Sequence, residues 1–213
     1  MLRFYCDNLL MKYKWLNLKK NREVIIFFNG WGMDESVIKH LNYGSYDVLM
    51  FYDYNTLDTD FDFKSLEKYE KRYLIAWSMG VMTASLFNID YARKTAVNGT
   101  LKPIDNKFGI PERIYDLTVR GFNEKGRERF MRSMFSEASL LPEVKRDLEN
   151  QKSELSALKN YLSNESFKYD KVLISRDDKI IPAKNQSAFW NIEPNLEGGH
   201  SPFLLFKSWE ELL

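Results

Sequence analysis

Apolar residues gather in short, separated runs along this chain. Val24-Ile25-Ile26-Phe27-Phe28 is β-branched and aromatic and is closed by Asn29-Gly30, which predicts a strand buried on both faces rather than a helix. Tyr46 to Tyr52 and Tyr73-Leu74-Ile75-Ala76 repeat the pattern, and Met79 to Phe87, close behind the latter, has the composition of a helix. Thr95-Ala96-Val97 and Lys171-Val172-Leu173-Ile174 are further candidate strands, and Asn191 to Leu196 is a weaker one. Strands alternating with helices imply the α/β class: a mainly parallel central sheet with helices on both faces.

Between Pro111 and Leu162 the strand-like runs stop and two helical patterns replace them. In the later one, Val144, Leu148, Leu155, Leu158 and Leu162 recur at multiples of three to four residues and form one apolar stripe. These apolar positions are too few for a separate core. The segment from about residue 109 to 165 is therefore expected to pack as a small helical cap over the carboxyl edge of the sheet, within a single domain spanning residues 1–213.

Composition narrows the classes of partner. Lys and Arg number 31 against 30 Asp and Glu, and a net charge of +1 gives no global pull toward nucleic acid or an acidic membrane. Cys6 is the sole cysteine, so no intrachain disulfide or cysteine-rich zinc site can form, and a reducing, cytoplasmic setting is expected. No apolar run approaches the roughly 20 residues of a membrane-spanning helix, and Met1 to Leu10 lacks the pattern of a signal peptide. A second methionine, Met11, precedes Lys12, so residues 1–10 are given little weight.

The candidate chemistry begins at Ala76-Trp77-Ser78-Met79-Gly80, a predicted strand-to-helix junction where a tight turn can lift a serine hydroxyl clear of the sheet. Alanine replaces the first glycine of the usual Gly-x-Ser-x-Gly, and it is still small enough for close strand–helix packing. A serine here is also a favoured helix N-cap, so the turn needs support from elsewhere. His200 supplies it from Gly198-Gly199-His200-Ser201-Pro202, where glycines leave the loop free to aim the ring. Ser201 and Pro202 resemble the N-cap and first turn of a last helix. His40, in the helical-looking stretch Glu35 to Leu41, reads as a surface histidine.

The carboxylate that would orient the histidine is expected just after the strand at Lys171 to Ile174, and Asp178 and Asp177 both lie there. Asp178 is preferred: it stands four residues before Pro182 and is followed by a basic and two β-branched residues. The order serine, aspartate, histidine is that of α/β-hydrolases. Ser78 is thus the expected nucleophile, His200 the general base and Asp178 its orienting partner. The oxyanion hole should use the backbone N–H of Met79 and of Trp31, the latter in the glycine-rich loop Asn29-Gly30-Trp31-Gly32. No metal ion or cofactor is called for.

Phe27 to Asp34, Tyr52-Asp53-Tyr54 and Leu74 to Val81, taken with Asn98-Gly99-Thr100, Gly109-Ile110-Pro111, Arg127 to Met134 and Gly199-His200, resemble the BioG-type pimeloyl-acyl-carrier-protein methyl ester esterase family. The resemblance covers most of the chain after Met11. It implies an α/β-hydrolase fold, hydrolysis of a methyl ester in biotin synthesis, and an acyl-carrier protein as the partner that bears the substrate. Residues 113–132 fit an acidic carrier, since Lys125, Arg129 and Arg132 would share a region of a helix beside an apolar surface of Phe130, Met131, Met134 and Phe135. A solvated helix face is the plainer reading of those charges. Two alternatives stand beside the main one: a general short-chain carboxylesterase or thioesterase with the same triad, and a non-catalytic hydrolase fold used for binding.

Overall fold

The runs that were too apolar to face water on either side form the middle of a six-stranded sheet. The protein, here a computed structural model, is described over residues 10–135 and 141–213. The strands are β1 (Lys12–Asn17), β2 (Glu23–Phe28), β3 (Tyr46–Tyr52), β4 (Lys71–Trp77), β5 (Arg93–Val97) and β6 (Lys171–Leu173), in the spatial order β1-β3-β2-β4-β5-β6. All neighbours are parallel except β1, which runs antiparallel to β3. Among the described residues five α-helices accompany them: α1 (Met79–Ala84), α2 (Glu112–Gly121), α3 (Glu124–Met134), α4 (Leu148–Leu158) and α5 (Ala183–Trp190).

Strand β2 lies between β3 and β4, and Val24 through Phe28 are all fully buried. Its alternate side chains serve two cores. Val24, Ile26 and Phe28 pack with Val81 and Met82 of α1 and with Leu155 and Leu158 of α4. Ile25 and Phe27 pack with Phe203, Trp209 and Leu212 from the end of the chain and with Met131 and Met134 of α3. Each such side chain contributes about 1.5–3 kcal/mol by leaving water, so burial on both faces makes β2 the axis of the fold.

Register sets the site. Phe28 on β2 is level with Ala76 on β4, and Trp77 on β4 is level with Val97 on β5, which is level with Leu173 on β6. The loops after β2, β4, β5 and β6 therefore leave one edge of the sheet side by side, which is where open parallel sheets carry ligands. Gly80 lets α1 start against this edge: a Cβ there would sit 2.3 Å from the Phe28 carbonyl oxygen and 2.6 Å from that of Asn29.

Several local expectations need correction. Strand β1 was not anticipated, although Lys12-Tyr13-Lys14-Trp15 alternates polar and aromatic residues as a half-exposed edge strand does. Asn191 to Leu196 is not a strand: Asn191 ends α5 in the left-handed conformation, Pro194 brings no N–H, and only an isolated bridge links Ser175 and Leu196. Helix α1 stops at Ala84 rather than Phe87, and Glu35 to Leu41 yields a 3-10 turn at Glu35–Val37. The two helical patterns between Pro111 and Leu162 become three helices, the break between α2 and α3 falling at Phe122-Asn123, where the Asn123 side chain caps α3. Leu162 lies beyond α4 and is 87% exposed, so it does not belong to the apolar stripe. After His200 comes a 3-10 turn, Phe203–Leu205, with Pro202 rather than Ser201 at its cap. Cys6 lies outside the described residues, as do residues 136–140 of the expected cap.

Gly80→Ala should cost at least about 3 kcal/mol, because the methyl group must push backbone carbonyls rather than a flexible side chain. Urea denaturation of the variant beside wild type measures it; a loss below about 1 kcal/mol would mean that α1 can move away from β2 freely.

Candidate active site

Ser78 occupies the turn between β4 and α1 with φ 58° and ψ −124°, a conformation that side chains rarely take and that costs about 1–3 kcal/mol. The turn is held from both sides: Ser78 N–H donates to the Val97 carbonyl at 3.0 Å, and Val81 N–H donates to the Ser78 carbonyl at 3.1 Å. Gly99 is needed beside it, since a Cβ there would lie 2.5 Å from the Ser78 carbonyl oxygen. The Ser78 side chain makes no helix-capping hydrogen bond; its Oγ stands 2.7 Å from His200 Nε2.

His200 is buried, and its Nδ1 lies 2.8 Å from Asp178 Oδ2. Asp178 Oδ1 accepts the N–H groups of Ile180 and Ile181, while Oδ2 also accepts Gln186 Nε2. Four N–H groups converging on two oxygens make Asp178 an acceptor throughout, so Nδ1 carries the imidazole proton and Nε2 is left to accept the Ser78 hydroxyl. Asp177, its neighbour, is exposed, and its backbone N–H goes to the Gly198 carbonyl. His40, also exposed, contacts the Phe203 carbonyl and takes no part in this chain of hydrogen bonds.

Three buried side chains missed in the sequence hold this arrangement. Asn98, at φ 44°, donates from Nδ2 to the carbonyl of His200 at 2.9 Å and to Ser175 Oγ at 2.8 Å, and its Oδ1 accepts the Ser175 N–H at 2.7 Å. It thereby ties the loop after β5 to the loops that carry Asp178 and His200. Trp77 Nε1 donates to the same His200 carbonyl at 2.8 Å, and Gln186 reaches Asp178 from α5. Trp77 explains Gly30 as well, because a Cβ on Gly30 would lie 2.8 Å from the indole. A strand ending in tryptophan reads as core, and an interior glutamine reads as helix surface, so only the fold reveals their roles.

Ser78 and His200 open into a pocket of about 80 Å³ whose walls are mostly apolar. Trp31 and Met79 line it, and among the described residues neither backbone N–H donates an internal hydrogen bond. Ile114 and Tyr115 come to the pocket from α2, Phe130 and Met134 from α3, and Leu155 from α4. Lys179 and Ile180 border it from the loop that carries Asp178, which the sequence reading did not foresee.

The expected carrier-binding set is divided by α3. Phe130 and Met134 face the pocket, whereas Lys125, Arg129 and Arg132 are exposed and do not line it. Arg132 is paired with Glu128 one turn away at 2.8 Å. Met131 turns into the opposite core rather than joining the pocket surface. Among the described residues no cluster of His, Cys, Asp and Glu is arranged to hold a metal ion, and no helix is long and apolar enough to cross a membrane.

A mostly parallel sheet whose fourth strand delivers a serine into a strained turn before a helix is the α/β-hydrolase fold. Within that class the chain belongs to the family described as pimeloyl-ACP methyl esterase BioG, which it matches over residues 11–212. The crystal structure of BioG from Haemophilus influenzae superimposes with a TM-score of 0.86 at 32% identity, covering 95% of this chain and 99% of that one. A malonyl-[acyl-carrier protein] O-methyltransferase from Bacteroides fragilis is 36% identical over 181 residues, 79% of this chain. The chain spans 36% of the length of that relative. A lipase-esterase related protein from Clostridium acetobutylicum shares the fold at a TM-score of 0.60 and 12% identity.

Asn98→Ala should lower stability by about 2–3 kcal/mol, since it strips several buried hydrogen bonds at once. It should also slow modification of Ser78 by a fluorophosphonate, because the His200 carbonyl loses one of its two side-chain donors. Unchanged labelling in a destabilised variant would confine Asn98 to folding.

Proposed function

We propose that the protein is a serine carboxylesterase that removes the methyl group from pimeloyl-acyl-carrier-protein methyl ester in biotin synthesis. The observation that carries this reading is the continuous chain Ser78–His200–Asp178, opening into an apolar pocket beside two unengaged N–H groups, in a member of this family. Ser78 Oγ attacks the ester carbonyl carbon while His200 Nε2 takes its proton, and Asp178 stabilises the imidazolium that forms. The oxygen that becomes negative is held by the N–H groups of Trp31 and Met79. His200 returns the proton to the departing methoxide, and methanol leaves. Water, deprotonated by His200, then splits the acyl-enzyme and frees the distal carboxylate of the pimeloyl chain. No metal or cofactor takes part.

The ester is neutral and the product is an anion, so an apolar pocket favours release of the acid and disfavours its return. We read α2, α3 and α4 as a cap over the site within one domain, with the acyl chain passing between them. Arg129 and Lys125, with Arg132 beside them, then face an acidic carrier protein from the outer side of α3. Such a reaction belongs in the cytoplasm and involves neither nucleic acid nor a membrane. The small volume of the pocket favours a second reading, a short-chain carboxylesterase or thioesterase of broader range; substrate comparison separates the two.

Hydrolysis of pimeloyl-carrier methyl ester, followed by methanol release, is the direct test, with p-nitrophenyl butyrate alongside. Ser78→Ala should lower kcat on both by about 10⁴- to 10⁶-fold, and Asp178→Asn by about 10³- to 10⁴-fold. Full activity in Asp178→Asn with loss in Asp177→Asn would reassign the carboxylate. Cleavage of the simple ester alone would leave the general esterase, and activity on neither would favour a binding protein. Arg129→Glu should raise KM about tenfold for the carrier substrate at low salt and leave the p-nitrophenyl ester unaffected; an equal effect on both would remove α3 from carrier binding.

A further inference from the structure

One buried acid has no part in the steps above. Glu154 of α4 is fully buried, and its carboxylate reaches the loop after β2: Oε2 accepts the Gly32 N–H at 3.2 Å and Oε1 accepts the Tyr54 N–H at 2.9 Å. One turn earlier, Gln151 Nε2 donates to the Gly32 carbonyl at 2.7 Å, and the Gln151 carbonyl accepts Trp31 Nε1 at 2.8 Å. Both peptide groups flanking the Gly32 α-carbon are therefore gripped by α4, and the Trp31 indole is held at its far end. Gly32 lies at φ 71°, the left-handed region, so this loop needs external contacts to keep one shape.

Glu154 is itself fixed. Arg146 Nη2 lies 3.0 Å from Glu154 Oε2 and 3.2 Å from Asp53 Oδ1, and Arg146 Nη1 donates to the Met33 carbonyl at 3.3 Å. Lys12 completes the cluster at 3.0 Å from Asp53 Oδ2. This ion network, buried at Glu154, Asp53 and Arg146 and open to water at Lys12, ties α4 to the ends of β2 and β3. The helix is thereby made part of the wall that faces the nucleophile.

We propose that Glu154 and Gln151 are positioning residues for catalysis: by gripping the peptide groups on both sides of Gly32 and the Trp31 indole, they fix the adjoining Gly30–Trp31 peptide so that its Trp31 N–H points at the oxyanion. The inference rests on the esterase reading above. A donor aimed at the developing charge stabilises the transition state more than the bound ester, so misaiming it lowers kcat and leaves KM nearly in place. A merely structural role for the two side chains would change stability without that split.

The test uses p-nitrophenyl butyrate, which needs no carrier. Gln151→Met keeps the side-chain length, removes the donor to Gly32 and gives up only an acceptor that has no partner, Oε1. Its kcat should fall about 10- to 100-fold with KM within about threefold of wild type, and phosphonylation of Ser78 should slow in step. Glu154→Gln should show the same split. Asp47→Asn is the control: that buried carboxylate accepts Lys19 N–H, Asn21 N–H and the Tyr69 hydroxyl at the opposite edge of the sheet, so it should lose stability and keep kcat. Wild-type kcat in Gln151→Met, a loss confined to KM, or an equal kcat loss in Asp47→Asn overturns the proposal. Wild-type protein that neither cleaves the ester nor takes up the label removes the esterase reading and this inference with it; active wild type with an indifferent Gln151→Met removes the inference alone.

Discussion

Gly80 rests against the carbonyl oxygens of Phe28 and Asn29, and this contact decides where everything else in the site can stand. Because β2 and β4 are parallel and in register, the chain leaving Phe28 and the chain leaving Trp77 emerge at the same height. Helix α1 must begin at once and close to β2, which forces the intervening residue into a conformation that glycine would prefer. Serine is there instead. Its strain is sustained by hydrogen bonds to Val97 and Val81 and by the absence of a side chain on Gly99, and the hydroxyl is turned away from helix capping toward His200.

Two buried charge systems meet at this edge, on opposite sides of the pocket. On one side, Asp178 takes four N–H donors and fixes the histidine ring. On the other, Arg146 joins Glu154 and Asp53, with Lys12 at the rim. Two carboxylates and two cations balance, which is the condition for burying Glu154, Asp53 and Arg146 at tolerable cost; removing one of these three would strand the others at about 3–5 kcal/mol. Burial pushes the Glu154 carboxyl above its ordinary range, opposed by the Arg146 guanidinium. The folded state thus holds that proton longer than the unfolded chain does. Taken alone, this group makes stability fall as pH rises from 4.5 toward its folded value.

The five inner strands were legible because each is a short run rich in β-branched and aromatic residues, and such residues need no partner from far along the chain to declare themselves. Edge strand β1 was not, since Lys12 and Lys14 look like surface in any setting and pairing with β3 is a tertiary event. Ser78, His200 and Asp178 could be named from residue type, loop position and order. The side chains that hold them could not. Trp77 and Asn98 act through hydrogen bonds to a carbonyl more than 100 residues away in sequence, and Gln186 occupies a position where glutamine ordinarily faces water. The same limit hid the role of two residues of α4: Gln151 falls at the helical spacing of Leu148, Leu155 and Leu158, with Glu154 beside it, but nothing in the sequence shows what their buried polar ends would meet.

That inward polar face bears on how the helices between β5 and β6 can behave. A cap that swings away as a unit would have to draw Glu154 and Arg146 out of a buried cluster and break the Gln151 contacts with the Trp31–Gly32 loop. The loss would far exceed what a small ester can return on binding. Helices α2 and α3 carry a lighter burden: they bring Ile114, Phe130 and Met134 to the pocket, and Ile114 and Leu117 remain about half exposed. They are joined to α4 and the segment before it by packing of Tyr115 and Phe122 with Leu155 and Leu158, by hydrogen bonds from Tyr115 to the Leu155 carbonyl and from Arg127 to the Val144 carbonyl, and by an exposed ion pair between Lys159 and Asp116. In the proposed esterase, α2 and α3 would thus border the entrance for the acyl chain while α4 holds the Trp31–Gly32 loop. On that reading, substrate entry and transition-state stabilisation would fall to different helices of the segment between β5 and β6.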